Sequence, residues 1–317
     1  MNESKNMNLF NKSESIDFYN DRYNQGYMED WPLKKKQRIT QIIKSLNLPE
    51  RGEALDYGCG NGVFTAVIKE VLPYWNVSGS DVSEVAIKNA AKRYPDCQFF
   101  YSEDEKFINK KFDFIFSHHV LEHVYDIDKS CEEIASLTSP HAYLLHVLPC
   151  GNKGSLEYTI CSSREGGINK EIQNRFFYED PGHLRRLKSE ELSDKFKVYH
   201  FNLVDGYFSN QYYGALDWIT EYDTDFINEI CDIKKTKGFL NKANLIGLRI
   251  RLLFLYKTKS IVKFYNNSSN VVGVFNKVKF FVAQKVSDFY LKKSEWEWDH
   301  LSKQQNGSEM YICFKKD

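Results

Sequence analysis

The chain has 317 residues, 42% hydrophobic and 15% aromatic, which supplies a packed core and excludes a disordered polymer. Its longest apolar runs are short (Leu252–Tyr256 is one) and its N-terminus, MNESKNMNLFNKSE, has no apolar signal core, so neither a membrane-spanning helix nor an export signal is expected. Net charge is zero, and the seven scattered cysteines contain no C-x-x-C pair, which excludes a cysteine-rich zinc site and points to a reduced, cytoplasmic protein.

Residues 1–14 are polar and expected to be loose. An aromatic, helix-like start follows (SIDFYNDRYNQGYMEDW), and then a helix over LKKKQRITQIIKSLNL, with Ile39, Ile42, Ile43 and Leu46 on one face. The rhythm then changes to strand and helix in alternation. Ala54–Tyr57 reads as a strand ending in Gly58-Cys59-Gly60-Asn61-Gly62, Val63–Leu72 as a helix, and Asn76–Asp81 as a second strand. A helix over Glu84–Arg93, a strand at Gln98–Tyr101, a strand at Phe112–Phe116, a helix over Ser130–Leu137 and a strand at Ala142–Leu148 continue the pattern. Gly151–Gly167 reads as loop. Ser189 caps a helix with Glu190 and Glu191 in its first turn, and Val198–Val204 and Glu309–Lys315 read as the last two strands. Such alternation predicts a doubly wound, Rossmann-like α/β sheet.

About a hundred residues separate those last two strands, far more than an ordinary connection. The expected organisation is therefore one domain from residues 1–206 plus 304–317, with a helical insertion at 207–303 acting as a cap or interface element. Val271, Phe275, Val278, Val282, Val286 and Phe289 step at helical spacing within it. Charge is lopsided as well. Residues 233–293 hold fourteen Lys and Arg against one acid, Asp288, a net of +13 in a chain whose remainder is acidic.

The glycine loop follows a strand and opens a helix, where small residues allow close backbone approach and the helix end offers free N–H groups. Its spacing is G-x-G-x-G, with Val63 where a dinucleotide binder has its third glycine. Asp56, two residues ahead, suits a cationic amine better than a pyrophosphate. Asp81 closes the second strand, where a carboxylate takes the hydroxyls of a ribose, and Val82 beside it can pack on an adenine face.

SHHVLEHV at 117–124 has two readings. His119-x-x-Glu122-His123 has the H-x-x-E-H spacing of a zinc peptidase if it lies on a long helix. The apolar strand FDFIF that runs directly into it argues instead for the end of a fourth strand at the mouth of a cofactor pocket, and no metal is expected.

Together LDYGCGNG, VSGSDVSEVAIKNAAKR and FDFIFSHHVLEHV, over about residues 50–205 plus the final strand, resemble the class I S-adenosylmethionine-dependent methyltransferases. The resemblance implies a seven-stranded sheet with the last strand antiparallel, and S-adenosyl-L-methionine as cofactor. It implies that Asp56, Gly58 and Gly60, with Cys59 between them, meet the methionine part, and that Asp81 meets the ribose and Val82 the adenine. Ser102 and Glu103 would stand near the adenine amine. Ser117 and His118 would border the sulfonium.

Methyl transfer to a hydroxyl needs a base, and histidine suits neutral pH. His119, at the carboxyl end of the fourth strand, is the first candidate. His183, in DPGHLRRLKSEEL before the sixth strand, is the second. His146 reads as a core residue, and Tyr23, Tyr27 and Trp31 as an aromatic lid or as helix contacts.

The expected activity is O-methylation of a small-molecule or glycan acceptor, with a lipid-linked one included. The alternatives are a tRNA or rRNA methyltransferase and a non-catalytic cofactor-binding subunit. The basic segment offers a solvated cap or homodimer surface, peripheral contact of 245–291 with a membrane at the inner face, or an RNA footprint. No recognised RNA-binding module is present, so no specific nucleic acid is expected.

Overall fold

The computed structural model describes residues 12–104, 107, 109–180, 182–266 and 274–317. The chain divides into two units, one of Met1–Leu148, Ser189–Gly206 and Tyr311–Asp317, the other of Pro149–Lys188 and Tyr207–Met310. The expected insertion at 207–303 thus lies within a larger unit that also takes in 149–188.

The first unit begins with α1 (Lys12–Asn24) and α2 (Leu33–Ser45), then alternates β1 (Glu53–Tyr57), α3 (Val63–Val71), β2 (Asn76–Asp81), α4 (Glu84–Arg93), β3 (Gln98–Tyr101), β4 (Phe112–His118), α5 (Ile127–Ser136) and β5 (Thr138–Pro149). Helix α7 (Ser189–Lys197), β8 (Phe201–Ser209) and β9 (Glu309–Lys316) complete the sheet after the elements of the second unit. The seven strands are ordered β3-β2-β1-β4-β5-β9-β8, with one antiparallel strand, as the resemblance implied. β1 pairs in parallel with both β2 and β4. The winding therefore reverses between β1 and β4, and a crevice opens at their carboxyl ends.

The strands form where the sequence is apolar on both faces. Phe112, Phe114, Ile115 and Phe116 of β4 are fully buried, as a central parallel strand requires. Serine and aspartate start the helices: Ser83 accepts from the Ala86 N–H ahead of α4, and Asp126 from the Lys129 N–H ahead of α5. The expected apolar face of α2 is buried at Ile39, Ile42, Ile43 and Leu46.

His119–Asp126 forms a bend and turn, and α5 starts only at Ile127. His119 and His123 are therefore not one helical turn apart on a helix, and the zinc-peptidase arrangement does not form. The sixth strand begins at Phe201 rather than Val198. The end of α7 runs on as a turn, with the Tyr199 and His200 N–H groups bonded to Phe196 and Lys197 and His200 at a left-handed φ of 65°.

In the second unit, the stretch expected as loop contains α6 (Leu156–Ser162), capped by Ser155. A small ribbon of β6 (Ile168–Asn169) and β7 (Arg175–Phe176) follows. Then come α8 (Tyr213–Ile219), α9 (Thr224–Ile230), α10 (Phe239–Asn266) and α11 (Val274–Leu301). Leu216, Ile219, Ile227, Ile230, Leu245, Leu252 and Leu255 form its core. Glu297 of α11 caps α8 from outside: its carboxylate accepts the N–H groups of Tyr212, Tyr213 and Gly214 at 2.8–3.1 Å. The stripe expected along α11 has the opposite sense from a core stripe, because Val278, Val282 and Phe289 are exposed while Ala283, Ser294 and Glu297 are buried. Val271 lies outside the described residues.

Candidate active site

A cavity of about 470 Å³ opens at the carboxyl ends of β1, β2, β3 and β4. That is within the usual range for a small-molecule cleft, roughly 300–1,000 Å³. Asp56, Gly58, Cys59, Gly60, Asp81, Val82, Ser102, Glu103, His118 and His119 all line it. Every expected cofactor contact except Ser117 is thus brought to one place. Ser117 is buried, its hydroxyl 2.7 Å from His146 Nδ1. His146 stacks on Phe196, and burial pushes its pKa down to about 3, so it is a neutral core residue.

The glycines do what their positions demand. Gly58 and Gly60 have φ of 74° and 51°. A side chain at Gly58 would collide with Val120, and a Cβ at Gly60 would come within 2.6 Å of the Tyr23 hydroxyl oxygen. The loop is a cradle that larger residues would fill.

Asp81 is buried, and one oxygen accepts the Gly60 N–H at 2.9 Å while the other accepts the Ser83 N–H at 2.9 Å. Each carboxylate oxygen has a second lone-pair direction, so both can still accept from a ligand hydroxyl. Asp56 accepts from the Thr65 hydroxyl at 2.7 Å. Its burial raises its pKa from 3.8 to about 7, with a smaller contribution from the charge of Asp81. A buried acid held so far above its ordinary value is a ready partner for a cationic group. A sulfonium nucleoside bearing an amino-acid head fits this donor and acceptor set.

A stability consequence follows for the ligand-free protein. Between about pH 4 and pH 7 the folded state holds a proton on Asp56 that the unfolded chain has lost, so this group makes stability fall as pH rises through that window. Urea midpoints for the native protein and for Asp56→Asn, taken at about pH 5 and pH 8, should show a smaller fall in the variant; equal falls would refute the shift.

Aromatic side chains form the other wall. Tyr19, Tyr23, Tyr27 and Trp31 all line the cavity. Trp31 meets the His118 ring edge-on at 4.4 Å, and Phe64 lies 4.4 Å from the same ring. Thr65 and Phe64 escaped the sequence reading because they look like ordinary residues on the inner face of α3; only the register of that helix against β1 turns them to the site. Glu133 also lines the cavity and interacts with the hydroxyl of the half-buried Tyr57, whose pKa is raised by desolvation and then by that carboxylate.

His119 sits at φ 54°, a left-handed conformation uncommon outside glycine, and its N–H is tied to Val147 of β5 at 2.8 Å. Its Nδ1 lies 3.1 Å from Oε1 of Glu122, a fully buried carboxylate. Oε1 is also 3.9 Å from His123 Nε2. The Glu122 carboxylate thus stands beside the His119 ring on its Nδ1 side. His183 belongs to the second unit, where its Nδ1 lies 3.2 Å from Glu179. Glu179 also accepts from the Phe176 N–H and the Arg186 guanidinium, and Arg186 reaches Glu157 at 3.2 Å.

A family model described as "Methyltransferase domain" matches residues 28–205. A trans-aconitate 2-methyltransferase of Escherichia fergusonii is 32% identical over 131 residues, covering 38% of this chain; the chain thus spans about half, 52%, of that curated relative. A proposed sarcosine dimethylglycine methyltransferase from Galdieria sulphuraria aligns over 90% of this chain and 86% of its own, at 11% identity and a TM-score of 0.48. The Haemonchus contortus phosphoethanolamine N-methyltransferase 2, solved with S-adenosyl-L-methionine, aligns over 98% and 58%, at 14% identity and a TM-score of 0.47.

Proposed function

The chain belongs to the methyltransferase-domain family and its cofactor is S-adenosyl-L-methionine; on that premise we propose that it methylates an oxygen of a small-molecule or glycan acceptor in the cytoplasm. The observation that carries this reading is His119, paired with the buried Glu122, on the same cavity as Asp56 and Asp81. The cofactor supplies, when bound, a methyl group already activated on a sulfonium. Asp81 would accept from the ribose hydroxyls, Asp56 would receive the ammonium, and Val82, with Ser102 and Glu103, would hold the adenine. Gly58, Cys59 and Gly60 let the backbone approach.

His119 then takes the acceptor's hydroxyl proton at Nε2, and Glu122 stabilises the imidazolium that results. His183, anchored by Glu179, is the second candidate to orient an acceptor. The likeness to a methyltransferase of trans-aconitate, a small polycarboxylate, favours a small acceptor. Among the described residues no helix is long and apolar enough to cross a membrane.

His119→Ala should leave cofactor affinity within about threefold and lower kcat by roughly 10²–10⁴-fold. Calorimetry reads the first, and release of S-adenosylhomocysteine with hydroxylated and carboxylated small molecules reads the second. Unchanged turnover would remove His119 as base. Product formed with RNA alone would overturn the small-acceptor reading.

A further inference from the structure

We propose that α10 and α11 form a peripheral docking surface for an anionic lipid bilayer. Helix α10 is apolar on two opposite faces. Leu245, Leu248, Leu252 and Leu255 are buried in the core of the second unit. Phe239, Ile246, Ile250 and Phe254 recur at seven, four and four residues, and they are 84%, 45%, 65% and 53% exposed. At ~100° per residue the two stripes are centred about half a turn apart. Only the first stripe belongs to the core of the unit; among the described residues the second faces outward.

Helix α11 adds an exposed apolar face with more aromatic character. Val278, Phe281, Val282, Phe289 and Trp296 are each about half exposed or more, between 48% and 60%. Lysines lie across those rings: Lys285 Nζ is 5.4 Å from the Phe281 centroid, and Lys293 Nζ is 5.8 Å and 5.9 Å from Phe289 and Trp296. Apolar bodies with ammonium groups at the same level suit a headgroup boundary, where the rings enter the acyl layer and the lysines reach the phosphates. Each helix has 28 residues, about 42 Å of length.

Charge selects the occupant. Helices α10 and α11 together hold eleven Lys and Arg against four acids, Asp288, Glu295, Glu297 and Asp299, a net of +7. A second copy of this chain would set one such segment against another, and like charges would oppose the contact. A nucleic acid would match the charge but would bury Ile246, Ile250, Val278 and Val282 against phosphate and sugar, with no gain from aliphatic side chains that cannot stack. An anionic bilayer matches both properties, lying against the helices rather than being crossed by them.

The test is sedimentation of the full chain with vesicles of phosphatidylcholine alone and of phosphatidylcholine with about one quarter phosphatidylglycerol. The expected result is at least tenfold more binding to the anionic vesicles, at least halved by raising salt from about 0.05 M to about 0.5 M. Two surface variants should each lose it, Ile250→Asp/Phe254→Asp and Phe281→Asp/Phe289→Asp, while keeping the native circular dichroism and calorimetric affinity for S-adenosylmethionine. Equal binding to both vesicle types, no binding at low salt, or full binding by both variants would overturn the proposal. So would a dimer abolished by the same variants, or RNA binding in the absence of vesicle binding. Because cofactor affinity is measured apart, failure of lipid docking leaves the methyltransferase reading standing, and the reverse holds too.

Discussion

Asp81→Ala should weaken S-adenosylmethionine binding by roughly 10²–10⁴-fold. Two hydroxyl bonds to a buried carboxylate are each worth about 1.5–3 kcal/mol, and the lower end of their sum already gives two decades. A second effect runs through the loop. Asp81 holds the Gly60 N–H on one oxygen and the Ser83 N–H on the other, so it also sets the position of the glycine cradle and the first turn of α4. Asp81→Asn separates the two. The amide keeps one acceptor oxygen and turns a second acceptor into a donor, so it should retain part of the loop geometry and lose most of the hydroxyl contact. Calorimetric titration of the three proteins is the measurement. A change of less than tenfold for Asp81→Ala would mean that the ribose is held elsewhere.

Arg186→Met should destabilise the second unit by about 3–5 kcal/mol, the cost of leaving a buried charge without its partner. The guanidinium is buried and lies between Glu157 and Glu179, its carbon 3.9 Å from the Phe176 ring centroid. Those carboxylates push its pKa well up against the effect of burial. Glu157 also accepts from the Tyr178 hydroxyl at 2.6 Å and from Trp218 Nε1 at 2.9 Å. With Arg186 gone, the two buried carboxylates lose the guanidinium they share, and only the His183 ring remains beside Glu179. Combining Arg186→Met with Glu157→Gln and Glu179→Gln should recover much of the loss, because it removes the charges together. Urea unfolding followed by tryptophan fluorescence reports on this cluster through Trp218. If the single variant lost less than about 1 kcal/mol, the network would be no support of the unit.

The same arrangement bears on His183. Its neighbours in sequence, Arg185 and Arg186, are both buried. Glu157 and Glu179 carry no local signal of pairing, since one opens the short helix α6 and the other follows β7. Their meeting depends on the ribbon between them, whose two-residue strands are too short for any period to show.

By itself, the sequence determined the elements of the cofactor side. Strand–glycine–helix spacing, an acid at the end of β2 and the apolar FDFIF strand are local features, and each lies within a few residues of its partners. Backbone sterics and burial act over that range, so the succession of strands and helices was legible in the sequence, while the cofactor contacts were read from the family resemblance. What only the tertiary structure decided involves groups brought together from far along the chain. Glu122 takes a buried position against the His119 ring because residues 119–126 turn instead of forming a helix. Thr65 holds Asp56, Glu297 caps a helix some eighty residues away, and Arg186 joins two distant acids. The outward sense of the stripe on α11 belongs to the same class. Periodicity in a sequence records that a helix has an apolar face, whereas the packing of the other helices decides whether that face meets a core or water.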